Sequence, residues 1–404
     1  MTQPATKISS AISSAKLRVA GIDLLRGLCI VAVVIHHINL RIVFRQSALG
    51  EWLGPAVNRV LFWNGYYGVR VFFVISGFLI AGWSLRRWGR LTDVSLKQFY
   101  RMRFARIVPC LAALLVLLSV LDRVGAPRFV VNPQHTSLGR ALLAAASFHV
   151  NWLEARTGYL PAAWDVLWSL SVEEMFYVFF PLLCKWTRKQ WLMILLLSAF
   201  VLIGPFARML TTNELWTDYG YLSCMDGIAL GCLAAMVAAS APLGRRTLTA
   251  LQLCGGLFCL LITVFRGTAA SIGFYKAGLD VTVLNLGTAL LLIALQQRSE
   301  RPKVPASNSL LSALLTHATA PLRWFGRNSY EVYLTHMLVV WPMVGWYHYY
   351  PNIHGAWLWF IAITVLAGVS GYLAARFYSE PLNLWLRTKA RSVPKVAALG
   401  AMQE

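Results

Sequence analysis

The sequence predicts an all-α polytopic membrane protein of about ten transmembrane helices, with both termini cytosolic. Three observations predict it. Of 404 residues, 58% are hydrophobic and only 13% charged, against about 25% charged in a soluble domain. The apolar residues gather into ten stretches of spanning or near-spanning length, and the mean hydropathy is +0.59. The basic residues collect in alternate connections between those stretches.

In order, the stretches are 22–40, 66–85, 104–121, 165–184, 191–207, 222–239, 248–266, 278–296, 328–347 and 356–377. The fifth is short and ends at Gly204-Pro205, and a marginal run at 138–150 reads as a helix within a loop. Residues 1–20 are polar and weakly basic, with no small-residue cleavage pattern after the first apolar run. They read as a cytosolic segment leading into an uncleaved first helix. Residues 21–386 form the transmembrane domain, and 387–404 a basic cytosolic tail.

With the N-terminus in the cytosol, 24 of the 37 Lys and Arg fall on the cytosolic side and 10 on the other. The remaining three, Arg26, Arg70 and Arg376, lie within spans. No cytosolic segment carries fewer Lys and Arg than the outer connection that follows it, as positive-inside topology requires. The net charge of +21 therefore encodes orientation in a bilayer, and nucleic acid is excluded as a partner. The seven cysteines lie mostly in apolar runs without CxxC or Cys/His spacing, so they read as small apolar residues and no metal site is expected. Lipid-facing and partner-facing apolar surfaces look alike, so no oligomeric state is read. The connection 122–164 is long enough to be a lid or acceptor-binding segment, or an ordered connector.

The first span is the most informative. It reads Gly21-Ile-Asp23-Leu-Leu-Arg26, and ten residues separate Arg26 from His37. Eleven steps of about 100° return a side chain to within about 20° of its starting face. They advance it about 16 Å along the axis. Asp23 lies about 40° from His37 by the same arithmetic, so the three make one polar stripe. Charge within a bilayer is costly, which makes the stripe a candidate functional site. His36 is about 100° away from His37 and cannot face one site equally with it.

Further polar groups recur in the apolar runs. They include Phe72-Phe73-Val-Ile-Ser76-Gly77-Phe78, Arg103 with Arg106, Trp168-Ser-Leu-Ser-Val-Glu173-Glu174, and Ser329-Tyr-Glu-Val-Tyr333-Leu-Thr-His336. Glu380-Pro381 closes the series. In this order the motifs resemble the acyltransferase-3 family of integral membrane acyltransferases, over roughly residues 18–385. Arg70 stands where many relatives carry an acidic residue. Many relatives also append an extracytoplasmic esterase-like domain, for which this chain is too short.

The resemblance implies O-acylation, with an acyl group, often acetyl, passing from cytosolic acyl-CoA to a hydroxyl of a carbohydrate or related acceptor. No permanently bound cofactor is expected. Arg103 and Arg106, one turn apart, suit the coenzyme's phosphates, although such arginines also anchor helices at lipid headgroups. Arg26 is expected to hold a phosphate or the arm's entrance, about one pantetheine length from His37, or else to snorkel toward Asp23. His37 is expected to be the general base, with a transient acyl-histidine as the lesser alternative. Glu173 is expected to orient a histidine or neutralise an arginine, and His336 to line the acceptor path, steady an oxyanion or pack between helices. Asp226 is a weaker supporting candidate, and Ser76 with Gly77 reads as close helix packing. The rival class is a transporter or flippase for a glycan or lipid-linked substrate, since polar groups mark substrate paths there too.

Overall fold

The computed structural model describes residues 18–301 and 310–389. The expected segments 1–20 and 387–404 therefore lie mostly outside the described residues. Within them the chain is all helical, and nine helical stretches are long and apolar enough to cross a membrane.

The bundle is built from α1 (Ala20–Asn39), α2 (Tyr67–Trp88), α3 (Leu96–Arg123), α4 (Leu167–Thr187) and α5 (Gln190–Leu210). It continues with α6 (Tyr221–Ala238), α7 (Arg245–Thr263), α8 (Leu279–Glu300), α9 (Ser329–Tyr349) and α10 (Ala356–Ala374). All ten expected stretches are helices. The one outside the nine apolar crossings is α9, which has the length at 21 residues but carries Glu331, Thr335, His336 and His348. Pro205 does not end the fifth helix, which runs on to Leu210. The run at 138–150 forms a nine-residue helix, Leu138–Ala146, capped by Ser137.

Small residues decide which helices touch. A Cβ on Gly77 of α2 would lie 2.0 Å from the Ile228 carbonyl oxygen of α6, and one on Gly231 of α6 would lie 2.0 Å from the Val74 oxygen. The two backbones meet through reciprocal glycines, as small-residue packing in membranes predicts. Ser76 takes no part in that packing; it faces the interior.

The connection 122–164 is pinned to the bundle. The Val131 N–H donates to Asp122, and the Val150 N–H to Ser171 of α4. Asn151 donates to the Tyr219 carbonyl. Its last residues, including Tyr159 and Leu160, reach the second cavity described below.

Candidate functional site

Two cavities lie along α1. The first, of about 460 Å³, is lined by Arg26, Arg103, Arg106, Glu173, Glu174 and Tyr177, among others. The second, of about 420 Å³, is lined by His36, His37, Arg41, Arg70, Asp165, Trp168 and Tyr219, among others. Both fall in the range of about 300–1,000 Å³ usual for small-molecule sites. We call them the Arg103 cavity and the His37 cavity.

α1 therefore serves two chambers. Arg26 lines the first, and its Nε and Nη2 donate to the Ser329 hydroxyl at 3.2 and 2.7 Å. His37, eleven residues on, lines the second. Asp23 lines neither, so the expected three-residue stripe reduces to Arg26 and His37. His36 lines the same cavity as His37, against the expectation that the two would diverge. Their ring centroids are 5.9 Å apart, and the chamber is wide enough to reach both.

Local hydrogen bonds set the tautomer of His37. Its Nδ1 lies 3.0 Å from the Val33 carbonyl oxygen, which can only accept, so Nδ1 carries the proton. The neutral ring then keeps its lone pair on Nε2. His336 Nδ1 lies 2.7 Å from the Tyr333 carbonyl oxygen and is protonated for the same reason. That leaves His336 Nε2 as an acceptor, 3.4 Å from His37 Nδ1. His336 is 0% exposed and lines neither cavity. The expectation that it lines the acceptor path gives way to a place behind His37. In this tautomer it has no N–H to offer an oxyanion.

The Arg103 cavity is strongly basic. Arg103 stacks on Tyr177, with its guanidinium carbon 3.4 Å from the ring centre. The Tyr177 hydroxyl donates to Ser76 at 2.6 Å, and Ser76 donates to Glu173 at 2.9 Å. Glu173 thus sits at the end of a hydroxyl chain in the Arg103 cavity, away from the chamber that His37 lines. Arg106 forms an ion pair with Glu331, whose Oε1 is 3.0 Å from its Nη1. Arg387, expected in a tail, lines the same cavity from the helix Glu380–Lys389.

In the His37 cavity, Arg41 donates to the His37 carbonyl at 2.6 Å and lies over Trp341. Burial brings the Arg41 guanidinium down to about 10, with Asp165 opposing that shift. Trp168 and Tyr219 stack face to face, 4.0 Å apart and within 5° of parallel. Arg70 is buried and donates to the Asp218 carbonyl at 2.7 Å and to the Cys224 sulfur at 2.8 Å. Asp226 lines neither cavity. It pairs with Arg208 at 2.9 Å and accepts from Thr282 at 2.6 Å, tying α5, α6 and α8 together.

The family model described as an acyltransferase domain matches residues 19–390. This chain belongs to the acyltransferase-3 family. It is similar to peptidoglycan O-acetyltransferase OatA of Listeria monocytogenes, 26% identical over 80% of this chain and 49% of that protein. It is also similar to O-acetyltransferase OatA of Staphylococcus aureus, 22% identical over 90% of this chain and 57% of that protein. The chain thus spans about half the length of the curated relatives it matches. No solved structure matches it.

The motifs that carry this acyltransferase-3 membership fall on the two chambers. Arg26, Ser76, Arg103, Arg106 and Glu173 line the Arg103 cavity, and His37 lines the other. Sequence reasoning missed Glu331, Ser329, Arg387 and Asp165. The first two stood inside a quoted motif, and their signal was a carboxylate and a hydroxyl within two helical turns ahead of His336 in an apolar run.

Proposed function

We propose that this chain is an O-acyltransferase of the inner, cytoplasmic membrane that moves an acyl group, acetyl in the first instance, from acyl-CoA to a carbohydrate hydroxyl. Both termini lie in the cytosol, and the donor enters the Arg103 cavity from that side. The acceptor occupies the His37 cavity.

One observation carries the reading. The His37 ring, proton on Nδ1 and lone pair on Nε2, lines a chamber adjoining one walled by Arg26, Arg103, Arg106 and Arg387. Such a cluster can contact phosphate only if some guanidinium donors are uncommitted. The Nε atoms of Arg103 and Arg387 are buried without a hydrogen-bond partner among the described residues. Arginine forks of this kind favour phosphate.

The acceptor oxygen attacks the thioester carbonyl carbon. The C–O bond forms, the C–S bond breaks, and the hydroxyl proton passes to His37 Nε2. His37 then returns that proton to the CoA thiolate, so thioester and alcohol give ester and thiol. The names of both relatives support acetyl as the group, and the peptidoglycan in the name of the Listeria relative supports an envelope glycan as the acceptor. Stacked Trp168 and Tyr219 suit a sugar face.

The test uses the full chain in lipid with radiolabelled acetyl-CoA and a crude envelope-glycan fraction. Wild type should transfer label, and His37→Ala should lose transfer while still binding acetyl-CoA. A well-folded wild type that neither binds nor turns over acetyl-CoA would sink the donor reading and leave a transporter as the stronger one.

A further inference from the structure

Among the described residues, the two cavities share only Val69 and Tyr333 in their linings. Val69 belongs to α2 and is 7% exposed. Tyr333 belongs to α9, one turn before His336. Its hydroxyl donates to the Val166 carbonyl at 2.9 Å and lies 2.7 Å from the Ser169 hydroxyl. Val166 lines the His37 cavity and Ser169 the Arg103 cavity, so the phenol is fastened across the boundary between the chambers.

We propose that Val69 and Tyr333 form the constriction that selects the acyl group by its width. The inference rests on the donor entering through the Arg103 cavity and meeting His37 in the other. On that route the acyl group leads and the sulfur follows. Whatever is bonded to the carbonyl carbon must pass between the Val69 methyls and the Tyr333 ring before the carbonyl reaches His37. A methyl is the narrowest group that can lead, and a branched acyl the widest of the short ones. The ring cannot yield freely, because its hydroxyl is held to α4 and the segment before it. The residues that bind the coenzyme's phosphates lie elsewhere, so the filter acts on the acyl end alone.

The choice follows from chemistry at the constriction. Discrimination over one methylene is worth about 10–200-fold where a pocket cannot expand. The same position also explains why a tyrosine, and not an aliphatic residue, closes the gap. A ring locked by two hydrogen bonds holds one width, whereas an aliphatic side chain would accommodate several.

The experiment measures transfer from acetyl-, propionyl- and isobutyryl-CoA to the envelope-glycan fraction, in lipid, for wild type, Val69→Ala, Tyr333→Phe and Ser169→Ala. Wild type should favour acetyl by at least tenfold over isobutyryl. Val69→Ala should widen the gap, and Tyr333→Phe and Ser169→Ala should unlock the ring. Each should raise the isobutyryl-to-acetyl ratio of kcat/KM by about tenfold, with CoA inhibition unchanged. A ratio that stays within twofold of wild type in all three variants, while acetyl transfer continues, overturns the filter alone. Failure of wild type to use any acyl-CoA overturns both the filter and the donor reading, and the two failures are told apart by that first control.

Discussion

His336 Nε2 lies 3.4 Å from His37 Nδ1, a nitrogen that also faces the Val33 carbonyl at 3.0 Å. One N–H thus serves two acceptors, and the second of them is itself oriented by the Tyr333 carbonyl. When His37 takes a proton on Nε2, its Nδ1–H becomes the stronger donor and both contacts tighten. On the proposed mechanism His336 would act through His37, as a positioning residue. His336→Ala is expected to lower kcat about tenfold to a hundredfold and leave the KM for acyl-CoA near wild type. His37→Ala should cost about 10²–10⁴-fold, the range for a general base. A His336→Ala variant that loses donor affinity instead would show that the residue shapes the donor site.

Arg106 and Glu331 should behave as a buried structural pair as well as a site. Glu331 is 1% exposed, and it also accepts from Ser379 at 2.8 Å. Removing Arg106 strands that carboxylate. Arg106→Ala is expected to cost about 3 kcal/mol, the lower end for one-sided removal of a buried pair, because the arginine is itself 29% exposed. Glu331→Gln keeps an acceptor for Ser379 and should cost less. Thermal unfolding in detergent reads both, and equal losses would refute the asymmetry.

Gly77→Ala should be among the most damaging single changes in the chain. The new Cβ would stand 2.0 Å from a backbone oxygen of α6, and no side chain can move aside to relieve it. Ser76→Ala, one residue away, should fold normally and instead impair activity by releasing Glu173 from its hydroxyl donor. Folded yield and turnover, measured side by side, separate the two residues. Parity between them would mean that the reciprocal glycine contact is not rigid.

How far these roles could be read from the chain depends on what each signal encodes. Hydrophobic runs mark spans, so every expected helix is present, and even the polar α9 follows its motif. Charges are harder. Arg208 follows Gly204-Pro205 and reads as a loop residue, yet the helix continues through the proline and buries Arg208 against Asp226. Helical arithmetic put Arg26 and His37 on one stripe, and the two line different cavities. It could not show that a second chamber begins between them, because that boundary is made by residues of α2 and α9. Ser76 and Gly77 form one dipeptide in sequence, yet one lines the Arg103 cavity and the other meets the backbone of α6. Glu331 needed its partner Arg106, which is 225 positions away.

Stability should fall at alkaline pH through Glu154. This residue is 0% exposed in the helix Val150–Thr157, and its Oε1 accepts from the Leu160 N–H at 3.0 Å. Burial first, and then the charge of Asp165, push its carboxyl well above the usual range. The folded state therefore prefers the protonated form. That preference stabilises fully below the ordinary glutamate range and is lost as pH rises through the raised value. Glu154→Gln should unfold a few degrees higher than wild type at neutral and alkaline pH, and the two should converge in acid. A difference that grows toward acid would reverse the assignment.

The thin wall at Val69 and Tyr333 has an electrical consequence. A potential of 100 mV does about 2.3 kcal/mol of work on each elementary charge that crosses it. Where chambers on either side fill with electrolyte, most of that drop falls across the protein between them. On the proposed route an acetyl group, being uncharged, would cross this field without work, while the coenzyme's phosphates would stay among the arginines outside it. On the proposed route the withdrawing thiolate carries one negative charge and the proton that joins it one positive charge, so no net charge crosses and turnover in an energised membrane should be insensitive to the polarity of the potential.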